Sequence, residues 1–220
     1  MPSKKQYLQL AFNSSFQDFL SVIRLVPENP NIIIEAGTPL IKREGVGVVS
    51  KMRQYWSGNI CADIKVVDGA KEEVEMAKQA GATHVTALGN ASKETLNIFV
   101  QTCKDVGLVS VIDMINTPNP LKSLWAANIV PDLVVIHRGR DEESSFGEVI
   151  QYKNISKIKG KWDISLGAAG GIDQKEMQSA SFNGADVVVV NVVRPSDPWE
   201  GLVIDENIKE NIDKFLRFVL

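Results

Sequence analysis

A single (β/α)8 barrel is the fold predicted by this sequence, on three observations. Short runs rich in Val, Ile and Leu recur eight times, at 7–12, 31–35, 60–67, 84–88, 109–113, 133–137, 163–166 and 186–190. Segments of helical period separate them. The 220 residues allow about 25 to 30 per strand-and-helix repeat, which fits one α/β barrel better than a six-stranded open sheet that would leave two units unused. With 44% hydrophobic and 23% charged residues, the chain can bury one sizeable core. No linker or low-complexity tract divides it, so residues 1–220 read as one domain.

In such a barrel, chemistry collects at the C-terminal strand ends, and the polar residues found there can be taken in order. Strand one runs into Asn13, strand two ends in Glu35, and strand three carries Asp63 and Lys65 with Asp68 beyond its end. Asp63 and Lys65 point the same way because side chains alternate along a strand. After it, 71–80 has helical period with Val74, Met76 and Ala77 facing inward. Strand four holds Thr86 near its end, with His84 at the opposite end, a packing or surface position. Strand five ends in Asp113 and strand six in His137, followed by Arg138 and Arg140. Gly167 to Gly171 follow strand seven, and Asn191 with the nearby Arg194 follows strand eight. Gly81 and Gly107 supply helix stops. The final helix, 208–220, packs Ile212, Phe215, Leu216 and Val219 on the barrel wall.

Composition excludes several classes of partner. A formal charge of −3 gives no electrostatic reason to expect nucleic acid or an anionic membrane. The start, Met1 to Lys5, leads into an apolar run too short for a signal peptide, and no stretch reaches membrane-spanning length. Two cysteines, Cys61 and Cys103, without metal-type spacing, fit core thiols in a reducing cytoplasm.

The strand ends suggest chemistry. Glu35 and Asp63 on neighbouring strands offer two hard oxygen ligands of the kind Mg²⁺ accepts; the alternative is that Glu35 merely pairs with Lys65. Lys65, among carboxylates, can stabilise an oxyanion or sit in a structural salt bridge. His137 suits acid–base work near neutral pH. Gly170 and Gly171, opening a helix after strand seven, form a candidate anion cradle, with a simple turn as the alternative. Arg194 would add a cation to the same anion, or lie solvated in its loop.

Six motifs in order then match a known pattern: Leu8-Gln9-Leu10-Ala11, Glu35-Ala36-Gly37-Thr38-Pro39-Leu40-Ile41, Asp63-x-Lys65-x-x-Asp68, Asp113-Met114-Ile115, His137-x-Gly139-x-Asp141 and Gly170-Gly171-Ile172. Over nearly its whole length the chain resembles 3-hexulose-6-phosphate synthase and 3-keto-L-gulonate-6-phosphate decarboxylase, of the orotidine 5′-monophosphate decarboxylase superfamily. The resemblance implies a homodimer with shared active sites, Asp68 reaching the partner, and Mg²⁺ held by Glu35 and Asp63. It also implies a small phosphorylated sugar as substrate and an enediolate flanked by Lys65 and His137. In the synthase the enediolate of ribulose 5-phosphate attacks formaldehyde; in the decarboxylase, loss of CO₂ gives a similar intermediate. Thr86-Ala87-Leu88-Gly89 and Asp113, where the decarboxylase usually has glutamate, lean toward the synthase, whereas Arg140 leans toward the decarboxylase. Two departures stand out: Asn13 replaces the usual aspartate, and Val190-Asn191 stands where many members have Gly-Arg. These departures also keep open a third reading, a barrel that binds a ligand without turnover.

Overall fold

The computed structural model describes residues 6–143 and 149–217; Met1 to Lys5 and Val219 lie outside them. In chain order the elements are β1 (Tyr7–Phe12), α1 (Phe16–Ile23), β2 (Ile32–Ala36), α2 (Thr38–Glu44), α3 (Gly47–Arg53), β3 (Asn59–Val66) and α4 (Ala70–Gln79). Then come β4 (His84–Leu88), α5 (Lys93–Val106), β5 (Val109–Asp113), α6 (Pro120–Ala127), β6 (Leu133–His137), α7 (Arg140–Glu143) and α8 (Lys153–Lys159). The chain closes with β7 (Ser165–Ala169), α9 (Gln174–Phe182), β8 (Val187–Val193), β9 (Leu202–Val203) and α10 (Ile208–Leu216). Strands one to eight pair in sequence order, all parallel, and β8 closes on β1, giving a (β/α)8 TIM barrel. Among the described residues no helix is long and apolar enough to cross a membrane.

Alternation along each strand divides the core in two. Leu8, Leu10 and Phe12 of β1, with Ile32 and Ile34 of β2, face the helices. Ala11, Ile33, Cys61, Val111, Val135 and Val189 point into the barrel and form its floor. Several helices begin on side-chain caps, as where Ser92 Oγ accepts from Thr95 N at 3.0 Å and Asp173 Oδ1 from Glu176 N at 2.7 Å. Cys61 and Cys103 are unpaired and buried, and burial raises both thiols. His84 is buried too, its imidazole pushed down to about 4 by burial against the pull of Asp132, which makes it a packing residue.

Beyond one-residue offsets in β2, β3 and α4, the observed elements differ from the sequence expectation in four places. β7 starts later and takes in Gly167 to Ala169, because residues Leu133 to His137 of β6 pair with Ser165 to Ala169 throughout. β8 runs on through Asn191 to Val193, where β9 pairs with Val192 and Val193 and extends the ladder. Met76 is 40% exposed, because only Ala70, Val74 and Ala77 of α4 reach the barrel wall. The last helix ends at Leu216, with Ile212, Phe215 and Leu216 buried as expected.

Candidate active site

The strand ends open into a cavity of about 530 Å³, bordered among others by Asn13, Glu35, Asp63, Lys65, Asp113, His137, Arg140, Gly170 and Asn191. Side chains from β2, β3, β5 and β6 therefore meet at one mouth. Glu35, Asp63 and Asp113 are only 6%, 7% and 4% exposed, a concentration of carboxylates that must be compensated.

Lys65 supplies most of that compensation. Its Nζ lies 3.0 Å from Asp63 Oδ1 and is bonded still more closely to Asp113 Oδ2. Burial disfavours the ammonium, but Asp63 and Asp113 outweigh it and raise Lys65 above the ordinary lysine range. Asp113 in turn sits within 3.0 Å of His137 Nδ1 through both oxygens and accepts the Ile115 N–H at 2.9 Å. Burial would raise Asp113, yet the His137 and Lys65 charges hold it well below the usual carboxylate range. The result is a continuous chain, Asp63, Lys65, Asp113, His137, of alternating acid and base.

The local backbone aims these groups. The β3 to β4 register slips between Ala62 and Val66, and Lys65 takes a left-handed φ of 52°, uncommon for a residue with a side chain. Its N–H donates to Thr86 Oγ1 at 2.9 Å, and Thr86 Oγ1 donates to Asp63 Oδ1 at 2.8 Å. Thr38, the first residue of α2, brings its hydroxyl within 2.7 Å of Asp63 Oδ2 and donates its N–H there at 3.3 Å.

Glu35 is differently placed. Lys65 does not pair with it; Gln9 Nε2 donates to its Oε2 at 2.5 Å. Burial, followed by the charge of Asp63, pushes its carboxyl up to about 8. Among the described residues no cationic side chain forms an ion pair with Glu35. Among the described residues no three His, Cys, Asp or Glu side chains form a metal-binding group, so a cation here would take two protein carboxylates.

At the β7, β8 and β1 side, Asn13 Nδ2 donates to Asn191 Oδ1 at 3.0 Å, so the two neutral departures touch each other. Asn13 also packs on Gly37, where a Cβ would fall 2.1 Å from Asn13 Oδ1. Gly170 has φ of +105°, and a Cβ there would collide with the backbone carbonyl of Arg138. The Arg138 guanidinium Nη2 donates to Gly170 O at 3.0 Å. Gly171 lies behind Arg138 and Glu143 and does not border the cavity. Arg194 is not brought to the mouth: its guanidinium pairs with Asp18 of α1 at 2.9 Å, a partner 176 residues earlier. Arg140 does border the cavity, with its guanidinium 4.0 Å over the Trp199 ring. Asp68 is exposed and outside the cavity of its own chain.

Gln9, Thr38 and Arg138 also border the cavity, although no motif marks them as site residues. Thr38 was legible in principle, as a hydroxyl opening a helix directly after strand two. Gln9 was too, as an amide in an otherwise apolar strand.

Residues 6–191 match the family model for orotidine 5′-phosphate decarboxylase / HUMPS. A Bifunctional enzyme Fae/Hps of Methanocella arvoryzae is 38% identical over 189 residues, covering 84% of this chain and 48% of that protein. Its counterpart in Methanocaldococcus jannaschii is 36% identical over 177 residues, covering 78% of this chain and 44% of that protein. The chain therefore spans about half the length of the curated relatives it matches. Among solved structures, 3-hexulose-6-phosphate synthase from Salmonella typhimurium superposes with a TM-score of 0.79 at 26% identity, covering 97% of this chain and 98% of that one. KGPDC from Streptococcus mutans gives 0.77 at 18% identity over 97% of each chain, a likeness of fold alone.

Proposed function

Since the chain belongs to the orotidine 5′-phosphate decarboxylase / HUMPS family, we propose that it is a 3-hexulose-6-phosphate synthase, a lyase that joins formaldehyde to ribulose 5-phosphate and cleaves the product in reverse. The observation that carries this reading is the Asp63, Lys65, Asp113, His137 chain beside the buried Glu35. Such an array fits removal of a proton next to a carbonyl with stabilisation of the resulting oxyanion.

Each residue then has a role. Asp113 fixes His137 through Nδ1, which turns the other ring nitrogen to the substrate as the group that takes the C1 proton. The electron pair left on C1 forms the enediolate and attacks the formaldehyde carbon, and the proton held by His137 passes to the new alkoxide. Lys65, held in its charged form by Asp63 and Asp113, acts as a fixed cation for the enediolate oxygen rather than as a base. Thr38 and Thr86 hold Asp63. Glu35 and Asp63 would hold Mg²⁺ as hard oxygen ligands. The excess of buried carboxylate fits such a cation, and Mg²⁺, when bound, supplies Lewis-acid stabilisation of negative charge on oxygen. Arg138, Arg140 and the Gly170 backbone are the groups we assign to the substrate phosphate. In the same reading the protein is a cytoplasmic homodimer, and Asp68 serves the site of a second protomer.

Formaldehyde release from 3-hexulose 6-phosphate tests the assignment. We expect release that stops on chelation and returns with Mg²⁺; no release with Mg²⁺ present rejects it. Arg140, stacked at the mouth, favours a second reading, decarboxylation of 3-keto-L-gulonate 6-phosphate. CO₂ release in a parallel assay, without formaldehyde, would establish that one instead.

A further inference from the structure

Gln9 stands in β1 level with Ile33 of β2 and Val189 of β8, two apolar residues of the barrel floor. Its amide is 4% exposed. Nε2 donates to Glu35, but Oε1 has no hydrogen-bond donor among the described residues. With Glu35 ionised, as binding a cation requires, turning the amide over does not cure this, because Oε1 would then face a carboxylate oxygen and the one existing bond would be lost. A buried acceptor without a donor is destabilising, and this one stands beside the cavity that Glu35 and Asp63 border.

We propose that Gln9 is a positioning residue for the cation: Nε2 holds the Glu35 carboxylate in its binding orientation, and Oε1 accepts a hydrogen from a water that the cation carries. The proposal rests on the reading that Glu35 and Asp63 hold Mg²⁺. A Mg²⁺ ion on two carboxylates retains several waters, and their hydrogens need acceptors. In an apolar layer, Oε1 is such an acceptor. An amide kept only for packing gains nothing from an unsatisfied oxygen, whereas one that orients a ligand has a use for both ends.

Mn²⁺, which reports its free concentration by electron paramagnetic resonance, is the probe, titrated into the full chain without substrate. Gln9→Met keeps the length of the side chain and removes both polar atoms; with an unchanged far-UV spectrum it should raise the Mn²⁺ dissociation constant roughly 10- to 100-fold. Gln9→Leu should act in the same direction and stands in if the methionine variant does not fold. Glu35→Gln and Asp63→Asn, which remove direct ligands, should abolish uptake. Binding by folded Gln9→Met or Gln9→Leu within about twofold of the unmutated protein overturns the role of Gln9 while leaving the carboxylate pair standing. An unmutated protein that takes up no Mn²⁺ overturns the cation reading and the role of Gln9 with it.

Discussion

Replacing Glu35 with glutamine isolates the energetics of one buried proton. Burial and the neighbouring Asp63 carry the Glu35 carboxyl from 4.5 up to about 8. Over that interval the native state holds a proton that the unfolded chain has released, so stability falls as pH rises. The contribution is whole below about 4.5 and is lost as pH climbs through about 8. Each decade corresponds to about 1.4 kcal/mol, which caps the effect on the order of 5 kcal/mol. Relaxation and water entry reduce such limits, so a change of about 2–4 kcal/mol is expected. The assay is urea unfolding in chelator from about pH 5 to about pH 8.5, comparing the unmutated protein with Glu35→Gln. Taking the difference between the two cancels every other titrating group. The unmutated protein should lose its advantage over Glu35→Gln steadily across the range, and saturating Mg²⁺ should flatten the curve by favouring the ionised carboxylate. A difference that does not change with pH refutes the argument that Glu35 is buried without compensation.

Lys65→Met leaves Asp63 and Asp113 without their shared cation. Turnover per KM in the formaldehyde-release assay should fall at least about 100-fold, and the unfolding free energy by about 3 kcal/mol; undiminished turnover rejects the role given to the ammonium. Because Lys65 is raised above its ordinary 10.5, its own contribution is present throughout the range from about pH 6 to about pH 9; it also holds the Glu35 carboxyl down, so the deficit should grow with pH across that range. Arg194→Ala should change KM for ribulose 5-phosphate by no more than about twofold, since an exposed ion pair carries little energy and this one faces Asp18. A tenfold rise in KM would mean that Arg194 leaves Asp18 for the substrate.

Four strands, β1, β4, β5 and β6, have the limits that alternation and apolar runs foretold. β7 was harder to read because Gly167 and Ala168 carry no strand signal of their own and are enlisted by pairing with β6. Asp63, Lys65, Asp113 and His137 were legible because charges at the ends of buried strands are costly unless used. Their order of contact was not: Lys65 chooses Asp113, 48 residues away, over the adjacent Glu35, and only the register of the barrel decides that. Arg194 shows the same limit, since nothing near it in the chain announces Asp18. Gln9 could be noticed as an amide in an apolar strand, but that its Oε1 finds no donor among the described residues is a fact of the folded barrel alone.

The left-handed backbone at Lys65 narrows what can stand there. A straight-chain residue bears that conformation at a cost of about 1–2 kcal/mol, whereas a β-branched one is a strong outlier. A saturation library at position 65 would therefore be filtered twice, once by charge and once by backbone shape. Grafting the lysine alone onto a regular strand of another eight-stranded scaffold would send its ammonium elsewhere. The slipped register between Ala62 and Val66 has to be transplanted along with it.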